Sequence, residues 1–112
     1  MEIASYKKDK VMVVDVKGRL DTTNYNSLEN ELFTMIDKGN LQILIDCKSL
    51  NYVSSSGLRV FLVALKKLKA LNGKFALSNL QDNIKEIFEI SGFITIFDIY
   101  STADEALIAL SN

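Results

Sequence analysis

The feature that most constrains this chain is an alternation of strand and helix patterns after an opening pair of strands. Alternation of this kind requires crossover connections and a largely parallel sheet with helices packed on it. We therefore predict an α/β fold with a mixed, mostly parallel β-sheet after an N-terminal β-hairpin, packed with about four α-helices. Apolar and β-branched runs predict strands at residues 3–6, 11–16, 41–46, 74–78 and 93–100, and apolar residues at helical spacing predict helices at residues 25–36, 58–71, 84–90 and 106–110.

Short polar residues and glycines mark the expected ends of these helices. Asp21, Thr22 or Thr23 can cap the first helix, and Gly39 can end it. The later helices have similar signals in Gly73, Ser91-Gly92 and the capping-box spacing of Thr102-Ala103-Asp104-Glu105. The length of 112 residues and the lack of a linker predict that residues 1–112 form one domain.

The composition argues against several classes of function. The chain has no histidine and a single cysteine, Cys47, which excludes histidine-based catalysis, histidine metal sites and an intrachain disulfide. The formal net charge of −1 lacks the basic excess typical of nucleic-acid binding, and no apolar run is long enough for membrane insertion. We therefore predict a cytoplasmic protein without cofactor, metal, direct nucleic-acid binding or membrane insertion.

Three aspartates could be imagined as a magnesium site. Asp15, Asp21 and Asp46 lie near predicted strand ends, where isolated aspartates are common, so we favour structural roles for them. Val53, Leu58 and Phe93 would form an apolar contact patch only if the fold left them exposed together.

Three consecutive serines before the second predicted helix are not fully explained by the folding pattern. Ser54 or Ser55 could simply cap the helix, with Gly57 allowing close packing. Alternatively, a hydroxyl at a helix N-terminus could be phosphorylated, because the free N–H groups and the helix dipole stabilise a phosphate there. A nucleotide site is disfavoured because the phosphate-loop signature G-x-x-x-x-G-K-[ST] is missing.

Four motifs in order resemble the anti-sigma factor antagonists, a family with the STAS fold. Gly18-Arg19-Leu20-Asp21 is similar to the family's Gly-Glu-Leu-Asp, and Leu44-Ile45-Asp46 lies on the expected central strand. Residues 52–60 resemble the box Asp-Ser-[Ser/Ala]-Gly-Leu, and residues 87–93 resemble Leu-Phe-x-x-[Ser/Thr]-Gly-Leu. The resemblance covers nearly the whole chain and implies a single STAS domain.

The resemblance also implies that the protein is a switch and not an enzyme. In this family the unphosphorylated antagonist binds an anti-sigma factor that is also a serine kinase, which releases a sigma factor. The kinase then phosphorylates the antagonist, and a PP2C-type phosphatase reverses the modification. By position the acceptor is Ser55, with Ser54 and Ser56 less favoured, although Ser54 replaces the aspartate that many members have before the acceptor. The implied partner-binding residues are Asp21, Thr22, Thr23, Ser54, Ser56, Gly57 and Leu58.

The sequence leaves two hypotheses about the function open. The favoured one is an anti-sigma factor antagonist that is monomeric when free and is switched off by phosphorylation. The alternative is a non-switching STAS scaffold, or a subunit of a transporter ATPase or signalling assembly. A small enzyme or nucleotide-binding protein is a third class, which the missing histidine and phosphate loop disfavour.

Overall fold

A computed structural model describes residues 1–111 and has a central mixed sheet with helices on both faces. The sheet begins with an antiparallel hairpin, β1 (Glu2–Lys8) and β2 (Val11–Leu20), joined by a turn in which Asp9 has φ 55°. Three further strands lie beyond β2 and run parallel to it: β3 (Gln42–Asp46), β5 (Lys74–Ser78) and β6 (Asp98–Tyr100). The strand order across the sheet is β1-β2-β3-β5-β6.

Four α-helices cover the two faces of the sheet unequally. The first three pack on one face with most of the core, and the last packs on the other face over the smaller buried cluster Val11, Val13, Leu44 and Ala76. The bounds are Tyr25–Asp37 for α1, Ser55–Ala70 for α2, Asp82–Ile90 for α3 and Ala103–Ser111 for α4. The predicted fold class, the opening hairpin and the four helices are therefore confirmed. No helix within residues 1–111 is long and apolar enough to cross a membrane.

A sixth strand was missed by the sequence prediction, which placed no strand between residues 46 and 58. This strand is β4 (Leu50–Val53), and it pairs in parallel with the end of β2. Only its first and last residues, Leu50 and Val53, are buried, while Asn51 and Tyr52 between them are exposed. Four residues with two apolar positions give too short a pattern to be separated from a loop.

Strand β2 is longer than predicted because it exchanges partners along its length. Up to Asp15, which faces Asp46, it pairs with β3; from Gly18, which faces Leu50, it pairs with β4. The register shifts between Gly18 and Arg19, and Gly18 has φ 93°, a conformation that other residues rarely adopt. The shift leaves Asn51 of β4 as an extra residue, and β2 continues through Gly18 to Leu20 instead of ending at residue 16 as predicted.

The last predicted strand, residues 93–100, is mostly wrong. Its first part is a short 3₁₀ helix, Phe93–Thr95, and only Asp98–Tyr100 is extended. Gly92 adopts the left-handed conformation with φ 79°, and the carbonyl of Phe93 accepts hydrogen bonds from the N–H groups of Ile96 and Phe97. The apolar residues here fit a strand pattern but form a tight turn that packs against the core.

Candidate functional site

The serine run forms the start of α2. Ser54 is the N-cap: its Oγ accepts a hydrogen bond from the N–H of Gly57 at 3.2 Å, and its own N–H donates to the carbonyl of Leu20 at 2.9 Å. Ser55 is the first helical residue and is exposed, whereas Ser56 is half-buried. The cap interpretation is confirmed for Ser54, and this leaves the neighbouring Ser55 hydroxyl on the surface.

The helix begins close to the sheet because Gly57 has no side chain. A methyl group on Gly57 would lie 2.8 Å from both Leu20 Cγ and Val53 Cγ2, which is closer than carbon atoms normally approach. Gly57 is buried, and Leu58 is only 7% exposed. Their predicted role in touching a partner is therefore not supported, because both lie beneath the surface in the packing of α2 against β2 and β4. For the same reason the predicted apolar patch of Val53, Leu58 and Phe93 does not form, because Val53 is also buried.

Asp21 organises a turn between β2 and α1. Its Oδ1 accepts hydrogen bonds from the N–H and Oγ1 of Thr23, and these bonds hold the pKa of Asp21 below its usual value. The prediction that Asp21, Thr22 or Thr23 caps α1 is wrong, because the N-cap is Asn24. Asp21 instead contributes its backbone carbonyl to the N–H groups of Asn24 and Tyr25. Its side chain is partly exposed, with Thr22 and Thr23 exposed beside it.

Strand β4 brings the Asp21 turn next to the serines. Leu20, the last residue of β2, pairs with Val53, the last residue of β4. Asp21 and Ser54 are the residues that follow this pair, so the two segments leave the sheet side by side. The six surface positions that the sequence singled out therefore lie at one edge of the fold. We call this surface the serine rim, and it consists of Arg19, Asp21, Thr22, Thr23, Tyr52, Ser54, Ser55 and Ser56.

Arg19 and Tyr52 are members of the serine rim that sequence reasoning missed. They face each other in the β2–β4 register, and the guanidinium of Arg19 lies 4.0 Å from the centre of the Tyr52 ring. Arg19 Nε also lies 3.8 Å from Asp21 Oδ2. Because this contact depends on the pairing of β4, no signal in the sequence pattern could have shown it.

A groove runs beside the serine rim between α1 and α2. Its volume is about 370 Å³, and its lining includes Ser56, Arg59 and Tyr25. Arg59 is exposed and lies four residues after Ser55, a spacing that places two side chains on the same side of a helix. The site thus offers exposed hydroxyls, two arginines and an aromatic ring, which suits recognition of another protein.

The three aspartates do not form a magnesium site. Within residues 1–111 no group of three or more acidic, histidine or cysteine side chains is placed to hold a metal ion. Asp15 and Asp46 face each other on β2 and β3, whereas Asp21 lies beyond the end of β2. Asp46 accepts hydrogen bonds at Oδ1 from the N–H of Lys48 and from Asn79 Nδ2, so it has a structural role.

Cys47 is fully buried, and burial raises the pKa of its thiol, which makes it unreactive.

Asp15 should make the stability of the protein depend on pH. Burial, and then the facing charge of Asp46, raise the pKa of Asp15, so the folded state holds this proton to a higher pH than the unfolded state does. The stability that this proton contributes is fully present below the pKa that Asp15 has in the unfolded chain. The free energy of unfolding then falls as pH rises through the raised pKa of Asp15 in the folded state. We expect Asp15→Asn to be more stable than the native chain at pH 7, because it removes the charge that burial and Asp46 disfavour, and to flatten this dependence. Urea unfolding between pH 4 and pH 8 measures it, with Asp98→Asn, at an exposed strand position, as the control. A destabilised Asp15→Asn variant at pH 7 would contradict the argument.

Comparison with known proteins agrees with this architecture. The STAS domain family model matches residues 2–106, so the chain belongs to the STAS-domain family. Two relatives within that family are named as anti-sigma factor antagonists. The chain is 35% identical to BtrV of Bordetella bronchiseptica, named as a candidate antagonist, over 97% of this chain and 94% of the relative. It is 30% identical to the anti-sigma-B factor antagonist of Staphylococcus aureus, over 82% of this chain and 85% of the relative.

Solved structures with the same fold carry similar descriptions. A crystal structure of a candidate anti-sigma factor antagonist from Thermotoga maritima has a TM-score of 0.94 at 21% identity, covering 98% of this chain and 95% of the other. The phosphorylated form of SpoIIAA, a Bacillus cell fate determinant, has a TM-score of 0.77 at 22% identity, covering 96% and 98%. At these identities the structural likeness establishes the fold.

Proposed function

We propose that this protein is an anti-sigma factor antagonist that is controlled by reversible phosphorylation of Ser55. Its unphosphorylated form binds an anti-sigma factor that is also a serine kinase, and the sigma factor is released. Phosphorylation of Ser55 by that kinase ends the interaction, and a PP2C-type phosphatase restores it. The observation that carries this proposal is the division of roles in the serine run: Ser54 is engaged as the helix cap, while Ser55 is exposed at the first position of α2.

The start of α2 suits a phosphate on Ser55. The first N–H groups of a helix have no partner within the helix, and the helix dipole is positive at this end. The N–H of Gly57 is already bonded to Ser54, so the first two helical N–H groups, those of Ser55 and Ser56, are the ones that helix geometry leaves for a phosphate. Arg59, one turn further along, adds a positive charge on the same side. The fold should therefore accept the modification with little loss of stability.

The same phosphate should disrupt a partner interface. It adds a charge of about −1.5 to −2 at neutral pH to a rim whose exposed polar groups beside Ser55 are mainly hydroxyls. Asp21 already places one carboxylate on this rim, so the phosphate increases a negative charge that is otherwise balanced by Arg19. An interface formed around uncharged serines would have to bury this charge or exclude it, and either is unfavourable.

Ser54 in place of the family's aspartate fits this assignment. An aspartate at an N-cap would accept the same hydrogen bond that Ser54 Oγ accepts from Gly57. The substitution therefore keeps the cap and removes one charge beside the acceptor. Ser54 is held by this bond and Ser56 is half-buried at the groove, which favours Ser55 over both as the phosphate acceptor.

The test is phosphorylation by the serine kinase encoded closest to the gene. The protein is incubated with that kinase and ATP, and the phosphate is mapped by mass spectrometry. We expect one phosphate on Ser55, no incorporation into Ser55→Ala, and wild-type incorporation into the matched variant Ser27→Ala on α1. Stable binding to the kinase without phosphate on any residue of the serine run would contradict the switch and favour the non-switching scaffold.

A further inference from the structure

The outer edge of β1 is the longest open edge of the sheet. β1 ends the strand order on one side, and no other strand within residues 1–111 pairs with its outer edge. Six of its seven residues are exposed, including Tyr6 at 50%, and only Ile3 is partly buried. By contrast β6, the other end of the strand order, has three residues. An open edge of this length presents unpaired backbone groups that can add a further strand.

We infer that this edge is a self-association surface, where β1 of one molecule pairs antiparallel with β1 of a second copy to make a continuous sheet across the dimer. A symmetric pairing of a strand with itself is isologous, so each contact occurs twice. The register with the largest overlap pairs all seven residues, Glu2–Lys8, and places Ser5 opposite Ser5 of the other copy. This inference concerns a surface other than the serine rim and does not depend on the proposed function.

The sequence of β1 is complementary to itself in that register. Glu2 faces Lys8 of the other copy at both ends of the pairing, and opposite charges facing each other across strands are stabilising. On the same face Ala4 lies opposite Tyr6 of the other copy, so a small side chain lies beside a large one. On the other face the aliphatic stem of Lys7 can cover Ile3 of the other copy.

Shifted registers lose this complementarity. A shift of two residues toward the start of the strand leaves Lys8 unpaired, and a shift of two toward its end leaves Glu2 unpaired. A shift of four toward the end places Lys7 directly opposite Lys7 of the other copy, which like charges disfavour. Lysine repulsion therefore disfavours the register shifted by four, and the Glu2–Lys8 pairs favour the register that uses the whole strand.

The interface is small, so the dimer should be weak and should form as protein concentration rises. A stable interface buries about 1,600 Å² in total, more than one pair of seven-residue strands supplies. Sedimentation velocity at increasing concentration should show a reversible monomer–dimer equilibrium. Because the end contacts are ionic, higher salt should weaken it.

Charge reversal tests the register directly. Glu2→Lys makes both ends of β1 basic and Lys8→Glu makes both ends acidic, so each variant alone should dimerise about tenfold more weakly. A mixture of the two should regain dimers, because every end contact in the mixed dimer joins opposite charges. The double variant Glu2→Lys/Lys8→Glu should dimerise like the native chain, and Lys10→Glu in the turn is the control. The inference would be overturned if both single variants dimerised as strongly as the native chain, or if mixing them gave no more dimer than either variant forms alone.

Disulfide crosslinking tests the same register independently. In the proposed register the two copies of residue 5 lie about 4.5–5.5 Å apart between Cα atoms, a spacing that a disulfide can bridge. Ser5→Cys should form an interchain disulfide under mild oxidation, while Ser27→Cys, exposed on α1, should not. The native Cys47 is buried and should not react. Equal crosslinking of the two cysteine variants would also overturn the inference.

Discussion

Replacing Ser55 with glutamate should weaken binding to the anti-sigma factor by at least about 100-fold while the free energy of unfolding stays nearly unchanged. The glutamate places a permanent negative charge at an exposed position of the serine rim, where the proposed interface covers a hydroxyl. The fold tolerates the charge because the N-terminus of α2 favours anions, and because the cap is supplied by Ser54. Titration calorimetry measures the binding, and urea unfolding measures the stability.

Two neighbouring variants separate the switch from the cap. Ser55→Ala should bind the partner like the native chain and should not respond to the kinase. Ser54→Ala should lose about 1 kcal/mol of stability, because the N–H of Gly57 loses its acceptor. If Ser55→Glu unfolded as easily as Ser54→Ala and still bound the partner, Ser55 would be a structural residue and the proposed switch would be wrong.

The parts of the fold that could be predicted from the sequence are those with long periodic patterns. α2 shows this well: buried Phe61, Leu65 and Leu68 follow helical spacing over about two turns. β4 and the 3₁₀ turn at Phe93 could not be predicted, because neither pattern is local. Two buried residues make β4 a strand only because the end of β2 lies beside it. The apolar residues after Gly92 are buried by a turn, although their composition is typical of a strand.

The site was predictable as a set of residues but not as a surface. The serine run and Asp21 are visible in the sequence, and both lie on the serine rim. Their proximity depends on β4, and so does the contact of Arg19 with Tyr52. The sequence prediction was also wrong about burial: Gly57 and Leu58 lie only two and three residues after the proposed acceptor Ser55, yet both are buried in the core. Spacing along a chain reports which side of a helix a residue occupies, and the packing partner decides whether that side is buried.

Gly57 should be the residue near the site that is least tolerant of substitution. A side chain there would have to push α2 away from Leu20 and Val53, which are buried and cannot move into solvent. We expect Gly57→Val to lower the free energy of unfolding by about 3 kcal/mol, since overpacking typically costs 1–3 kcal/mol and valine adds two methyl groups to the clash. Chemical denaturation of the purified variant measures the loss.

Ser56→Val is the matched control, because it places the same side chain at the preceding helical position, where Ser56 is half-buried beside a groove. Valine has about the same helix propensity as serine and a better one than glycine, so a greater loss in Gly57→Val cannot come from propensity and reports the contact with β2 and β4. If the two variants lost the same stability, close approach of the helix would not explain the glycine. If Gly57→Val alone is strongly destabilised, the glycine sets how near α2 lies to the sheet. Ser55 would then owe its position at the surface to a residue that no partner touches.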